Sequence, residues 1–211
     1  MIRTLFVLAV GSLALVSPSL AQNFNGNISN ENVELMPFVG YRTGGSLSGQ
    51  VENTVRDFGI KDSASYGGVI DVNLHRGNFK IEALYSRQTT EIEGAGLLVP
   101  NGLNVDVEYL QAGILQESGS ERGRFYISAL LGATKFDPVG FDSVTKFSTS
   151  LGGGLKLFPS RHVGLRFDAR AFLTFVNVDA GGVCLNGTCF FSWSGSHLWQ
   201  GDFTAGLILA F

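Results

Sequence analysis

Few residues in this chain have the types and spacing of a catalytic centre. The three histidines are His75, His162 and His197, and Ser196 directly precedes the last of them. A nucleophilic serine needs a base within hydrogen-bonding distance. Adjacent side chains on a strand point to opposite faces, so Ser196 and His197 are poorly placed to activate each other there. The sequence therefore predicts no catalytic residue, no metal site and no cofactor.

The charged residues follow a more regular pattern. From Val163 to Phe175, one set of alternate residues is apolar, while the other set contains Arg166, Asp168 and Arg170. Ten charged residues occupy such alternate positions along the chain: Glu34, Arg42, Asp71, Lys80, Glu82, Lys156, Arg166, Asp168, Arg170 and Asp202. Because the two signs are balanced, these side chains could pair with one another where water is excluded. They predict either an interior salt-bridge network or a narrow ion path.

Alternation with a period of two is typical of strands, since a helix would mix the two sets of residues around its circumference. The pattern appears in eight segments, which start near Val33, Tyr66, Phe79, Asn104, Phe125, Phe147, Val163 and Asp202. The fourth segment changes phase. Its apolar residues are first Val105, Val107 and Tyr109 and then Leu110, Ala112 and Ile114. A β-bulge near Tyr109 would reconcile the two phases.

The composition excludes a disordered chain. Hydrophobic residues make up 45% and charged residues 16% of the 211 residues, and the mean hydropathy is +0.20. The one long apolar run, Leu5 to Val16, follows Arg3 and precedes the cleavage-like Ser19-Leu20-Ala21. Residues 1–21 are therefore predicted to be a signal peptide, because this run is too short to span a bilayer as a helix. Residues 22–211 form the mature domain.

The predicted connections alternate between short and long. Residues 75–78, 117–123 and 159–162 are short, whereas residues 45–64, 89–103, 136–145 and 177–197 are long. This rhythm, together with strands of about ten residues, is typical of bacterial membrane barrels. Aromatic residues near strand ends suit the two membrane interfaces: Tyr41, Tyr85, Phe147, Phe175 and Phe211. The predicted fold is all-β, an eight-stranded antiparallel up-and-down transmembrane β-barrel.

The final strand resembles the terminal strand signal of bacterial outer-membrane barrels. Apolar residues occupy every second position before a terminal Phe: Phe203, Ala205, Leu207, Leu209 and Phe211. From Met36-Pro37-Phe38-Val39-Gly40-Tyr41-Arg42 onward, the chain resembles the small eight-stranded barrels typified by the OmpA transmembrane domain and the OmpX and Ail group. The resemblance implies the outer membrane of a Gram-negative bacterium, contact with its lipid and lipopolysaccharide, and recognition by the barrel-assembly machinery. Because the sequence stops at Phe211, the peptidoglycan-binding domain of full-length OmpA is not expected.

An eight-stranded barrel is just wide enough for its own side chains to fill it. We therefore expect a non-enzymatic barrel with a structural or surface-interaction role, its interior plugged by the paired charges. A narrow ion channel is the alternative. A third possibility is an outer-leaflet lipid-modifying enzyme that uses Ser196 and His197 with Glu91 or Glu93.

The fourth long loop contains both cysteines, Cys184 and Cys189, on either side of Asn186-Gly187. Asn-Gly favours a tight turn that brings flanking residues together. An exported chain passes through an oxidising compartment, so a disulfide is predicted. A two-thiol metal site would need further ligands, which this loop does not obviously supply.

The long loops are mainly acidic. Against the two bases Arg56 and Lys61 they contain eight acids: Glu52, Asp57, Asp62, Glu91, Glu93, Asp137, Asp142 and Asp179. Acidic loops and the excess of acidic over basic residues disfavour a nucleic-acid partner. The long loops could contact an extracellular partner, which the sequence does not identify.

An aromatic cluster lies in and beside loop four: Phe190, Phe191, Trp193 and Trp199. It suits anchoring at the membrane interface, and the alternative is an apolar patch for a partner.

Overall fold

A computed structural model describes residues 32–51, 54–74, 78–93, 103–176, 182–185, 188–193 and 197–211. For residues 46–51, 54–58, 93, 103, 182–185 and 188–193 the description covers the backbone alone. Within these ranges, no helix has the length and hydropathy needed to cross a membrane. The predicted signal peptide, residues 1–21, lies outside the described residues.

Twelve strands form one continuous antiparallel sheet in the described chain, and eight of them close into a barrel. The barrel strands are β1 Val33–Thr43, β4 Ser63–Asn73, β5 Phe79–Glu93, β6 Leu103–Gly119, β7 Gly123–Pro138, β8 Val144–Leu157, β9 Val163–Phe175 and β12 His197–Ala210. The other four strands form two hairpins within the first and last long connections: β2 Ser46–Val51 with β3 Thr54–Ile60, and β10 Gly182–Leu185 with β11 Thr188–Trp193.

The barrel closes where the first strand pairs with the last. Along this seam Arg42 lies opposite Asp202, and Glu34 lies opposite Ala210. Beyond the last strand residue, the Phe211 N–H donates to the Val33 carbonyl at 2.9 Å, and the Phe211 carbonyl accepts from the Asn32 N–H at 2.7 Å. Closure satisfies the backbone groups of the edge strands, as hydrocarbon surroundings require. The predicted eight-stranded barrel is confirmed.

The distribution of side chains is the reverse of that in a water-soluble protein. Large apolar residues are exposed on the outer wall, including Val39 at 68%, Leu151 at 67% and Phe125 at 67%, whereas Arg42 and Lys156 are fully buried. An apolar band of this extent far exceeds the patches that soluble monomers leave in water. The aromatic residues expected at the membrane interfaces all point outward: Tyr41, Tyr85, Phe147, Phe175 and Phe211.

Strand β6 corrects one expectation. Its pairing with β5 and β7 is continuous, so the predicted bulge near Tyr109 is wrong. Val105, Val107 and Tyr109 point into the barrel, while Leu110 and Ile114 point outward on the same uninterrupted phase. The apolar residues of β6 lie on its inner face near one end and on its outer face further along. The reason is that the inside of the barrel becomes apolar toward the end with the long connections, which is predicted to be extracellular.

That end extends beyond the membrane band. The longest strands are β5, β6 and β7, and β5 also pairs with β3 at Gly59 and Ile60. Because β2 pairs with both β3 and β11, the two hairpins continue the wall as one extracellular sheet. The connections predicted to be long are thus partly folded.

An apolar cap lies inside this extension. Its side chains are nearly or fully buried: Ile60, Ile92, Val105, Val107, Phe136, Val176 and Leu198, with Phe141 packed against them. Inward residues outside the membrane can be apolar because they form an ordinary core with the facing strands. The cap therefore packs as a small hydrophobic core inside this end of the barrel.

The phase of β6 can be tested with Val107→Asp. This change places an unpaired carboxylate in the apolar cap, and we expect the free energy of unfolding to fall by roughly 3 kcal/mol or more. Urea unfolding in detergent micelles, followed by tryptophan fluorescence, measures the change.

Glu108→Ala is the matched control, because Glu108 points outward and is partly exposed. Its effect should stay within about 1 kcal/mol. Equal effects of the two substitutions would contradict the assigned phase.

Candidate functional site

The ten charged residues singled out in the sequence all lie inside the barrel and are buried. Three further charged residues are buried: Glu117 at 2%, Arg124 at 3% and Lys146 at 8%. The alternation pattern missed these residues because they lie at strand ends, outside the segments to which strands were assigned. Together the thirteen groups comprise six acids and seven bases.

Lys156 is the centre of the layer nearest the periplasmic end. Its Nζ donates to Glu34 at 2.6 Å, to Asp71 at 2.7 Å and to Glu117 at 2.5 Å. Glu34 also accepts hydrogen bonds from Lys80 and Arg124. The three carboxylates have oxygens within 4.8 Å of one another, as a metal site would need, but the Lys156 ammonium already contacts all three.

Arg166 connects this layer to the middle of the barrel. Its Nη1 donates to Asp71 at 3.2 Å and its Nη2 to Glu82 at 2.6 Å. Glu82 also accepts from Arg170 at 2.7 Å, so one carboxylate joins two guanidinium groups. Asp168 accepts from Arg166 at 3.0 Å and from Arg170 at 3.3 Å. Charges on four strands, β4, β5, β8 and β9, thus form a chain of ion pairs across the interior.

Two glycines of β8 make room for these side chains. A Cβ added at Gly152 would lie 2.8 Å from the Arg170 Cζ, and one at Gly154 would lie 2.6 Å from the Tyr126 Oη. Tyr126 donates to Asp168 and accepts from Arg166 Nε at 2.8 Å. The Gly152-Gly153-Gly154 run therefore serves the packing of the interior rather than phosphate binding.

Arg42 forms a separate layer nearer the extracellular end. Its Nη2 donates to Asp202 at 2.6 Å and also to Ser86, and Asp202 accepts from Ser65 Oγ at 2.8 Å. The guanidinium carbon lies 4.8 Å from the Tyr109 ring centroid and 4.9 Å from that of Phe172. Cation–π contacts in a site without bulk water add to the ion pair.

Uncharged polar groups fill the space between Arg42 and the apolar cap. The Tyr109 hydroxyl donates to Gln200 at 2.6 Å, and Gln200 Nε2 donates to Gln88 at 3.3 Å. On the other side, Gln111 donates to Ser148 at 2.9 Å and accepts from Ser150 at 2.6 Å. Amide and hydroxyl groups thus bind one another alongside the charged layers inside the barrel.

One cavity within the described part of the interior has a volume of about 10 Å³ and lies between the apolar side chains of Met36 and Phe38 and the polar groups of Arg170 and Asp202. This is the space of about one water molecule. The arrangement can hold its charges by mutual pairing.

The other candidate residues from the sequence lie outside the interior network of charges. His197 lies at the outer end of β12 opposite Phe175, and Glu91 pairs with Lys61 on the exposed surface. Ser196 and His75 lie outside the described residues, as does the side chain of Glu93. The backbone register places Cys184 opposite Cys189, but their side chains are not described, so the disulfide stays a prediction. The proposed assembly residues alternate outward along β12 as far as Phe211.

A row of charged side chains lies on the outer wall, on the extracellular side of Tyr85, one of the aromatic residues expected at the membrane interface. Arg87 pairs with Asp106 at 2.6 Å and with Glu108 at 3.5 Å. A hydrogen bond from Thr89 at 2.6 Å, together with Arg87, holds the pKa of Asp106 below its ordinary value. Charged groups so close to the apolar band mark the level at which the extracellular membrane interface begins.

The closed wall, the apolar outer band and the paired interior charges define a small outer-membrane β-barrel protein. No family model matches the sequence, and no curated protein matches it. Solved structures do match the fold. The chain is similar to Neisserial surface protein A, with a TM-score of 0.52 and 10% identity over 85% of this chain and 97% of that one.

Two further similar structures are bacterial surface barrels. One is the attachment invasion locus protein Ail of Yersinia pestis, solved with a heparin analogue, with a TM-score of 0.42 and 15% identity over 85% of this chain and 99% of that one. The other is the N-terminal barrel domain of Pseudomonas aeruginosa OprF, with a TM-score of 0.44 and 12% identity over 85% and 98%. The fold predicted from the sequence is confirmed, and the exposed apolar band agrees with the predicted outer-membrane location.

The central role of Lys156 can be tested with Lys156→Met. The substitution keeps the length of the side chain but leaves three buried carboxylates without their shared cation, so unfolding should become easier by about 3 to 5 kcal/mol. Urea midpoints of refolded barrels measure this change.

Adding Glu117→Gln to that variant should restore part of the stability, because one of the opposed negative charges is removed. Lys61→Met is the control for an exposed pair and should change stability by less than about 1 kcal/mol. If Lys156→Met were as stable as the native chain, Lys156 would not hold the layer together.

Proposed function

We propose that this protein is a non-enzymatic outer-membrane barrel whose closed interior stabilises a scaffold for an extracellular sheet. The observation that carries the proposal is the packing of the described interior. Its charges pair with one another around Lys156 and Arg166, an apolar cap packs inside the barrel end, and the cavity beside Arg170 and Asp202 has a volume of about 10 Å³. A barrel that transported solutes would need a continuous water-filled path instead.

The ion-pair geometry favours a plug over a narrow ion channel. Arg166 and Arg170 share Glu82 and Asp168, and each donates at 3.3 Å or less to both carboxylates. Breaking a buried pair costs several kcal/mol because a charge is left without its partner. Passage of ions through this layer would therefore be slow.

The surface role is supported by the extracellular part of the fold. The wall extends above the membrane through β5, β6 and β7 and continues into the two hairpins. Such an extension adds nothing to the span of the bilayer, yet it presents a folded backbone surface outside the cell. We propose this sheet as the site for an extracellular partner, whose identity stays open.

The remaining partners follow from the location. The apolar band would contact outer-membrane lipid and lipopolysaccharide. The outward alternation of β12 that ends at Phe211 would serve recognition by the barrel-assembly machinery. The alternative of a lipid-modifying enzyme is less well supported, because His197 lies opposite Phe175 and Glu91 is paired with Lys61.

Recordings from planar lipid bilayers test the sealed interior. We expect no large, stable conductance from the native barrel, since the charged layer must rearrange before an ion passes. A double variant, Glu82→Ser with Arg166→Ser, should allow water into that layer and raise the conductance above the native background.

Both proteins must first run as folded barrels, which migrate differently on gels with and without boiling. A large, steady current through the native barrel would overturn the plug and favour the channel.

Whether the barrel folds independently of the last hairpin can be tested by replacing residues 182–193 with a short Gly-Ser linker. The β12 ladder begins at His197 and pairs with β9 over its full length, so the barrel should fold and keep its heat-dependent migration. Loss of the folded band would show that the last hairpin is part of the barrel core rather than an extracellular extension.

A further inference from the structure

The outer wall carries a groove on its lipid-facing side, across β1, β4 and β5. Its floor consists of small side chains at Pro37, Gly68 and Ala83, and its volume is about 390 Å³. The register accounts for the depression, because Gly68 lies directly opposite Pro37 and diagonal to Ala83, which is two residues from its partner Tyr85. Three small residues on adjacent strands are thus neighbours, with the larger side chains of Ile70 and Tyr85 beside them.

Large apolar residues form the walls of this groove. Leu35, Ile70, Tyr85 and Leu110 line it, and their exposed fractions range from 37% to 67%. All four point outward within the apolar band of the barrel. The groove therefore opens toward hydrocarbon rather than water, and its volume lies within the range of ordinary ligand sites.

Polar groups lie next to the groove on its extracellular side. The Tyr85 hydroxyl lies at the rim and donates to Glu108 at 3.4 Å. Arg87, the next outward residue on β5, lies opposite Tyr66 and Glu108. Along the strand direction the surface thus changes from apolar to phenolic to charged, in the same order as the acyl chain, interface and head group of a membrane lipid.

We propose that this groove binds one acyl chain of an outer-leaflet lipid, with the lipid head group next to Tyr85 and Arg87. A second copy of the chain fits less well, because two grooves meeting in the membrane plane would bring their charged rims together at the same height. The site is independent of the sealed interior and would exist in a conducting barrel as well.

Substitutions that fill the groove test the proposal without disturbing the wall. A Cβ at Gly68 would meet only the Met36 carbonyl oxygen, at 3.7 Å, so Gly68→Leu adds its side chain to the groove alone. Ala83→Leu fills the same space from β5. Ala169→Leu is the matched control, because Ala169 also points outward but lies on β9, opposite Gly153 and Phe203.

The barrels are refolded into vesicles of dimyristoyl phosphatidylcholine and phosphatidylglycerol and extracted in mild detergent. Native mass spectrometry then counts the lipids retained on each barrel. We expect one retained lipid on the native protein and on Ala169→Leu. Retention on Gly68→Leu and on Ala83→Leu should fall roughly tenfold, as expected when contacts of about two methylene groups are lost.

Three results would overturn the proposal. Equal retention by all four proteins would mean that the groove holds no lipid. Equal loss in Ala169→Leu would mean that the retained lipid belongs to a non-specific shell around the barrel. A native dimer that disappears in Gly68→Leu would make a second copy the occupant. Heat-dependent gel migration of each variant confirms that the comparison is between folded barrels.

Discussion

Charge pairing in a narrow lumen is the interaction on which the rest of this structure depends. Lipid surrounds the wall, so an inward charge can be stabilised only by other side chains within the barrel. Lys156 contacts Glu34, Asp71 and Glu117, and Arg166 extends the same network to Glu82. Each of these charges stabilises its neighbours, so the network acts as the polar core of the protein.

Several local features of the sequence become intelligible through this core. Gly152 and Gly154 leave space for Arg170 and Tyr126, which a side chain at either position would occupy. The rings of Tyr109 and Phe172 enclose Arg42 where carboxylates become scarce. Above that level the wall leaves the membrane, and the interior changes to hydrocarbon. The described interior thus combines two kinds of packing: ion pairs around Lys156 and Arg166, and hydrophobic contacts in the apolar cap.

The outer surface is subject to different physical constraints, because it packs against lipid. Because lipid tails are as apolar as the side chains they contact, the outer band gains little from close packing and can carry depressions such as the one at Gly68. The charged row beginning at Arg87 fixes the height of the barrel in the membrane. The inner and outer faces of each strand are therefore subject to different constraints. The mean hydropathy of +0.20 is intermediate because it averages a polar inner face and an apolar outer face.

The sequence by itself determined which residues face inward, because a period of two assigns faces without knowledge of neighbours. It also determined the number of barrel strands and the alternation of short and long connections between them. Only the tertiary structure decided the partners, since Arg42 and Asp202 are 160 residues apart and meet through barrel closure. The same holds for β6. Its residues from Val105 to Tyr109 looked out of phase because local alternation cannot show where the lumen changes from polar to apolar.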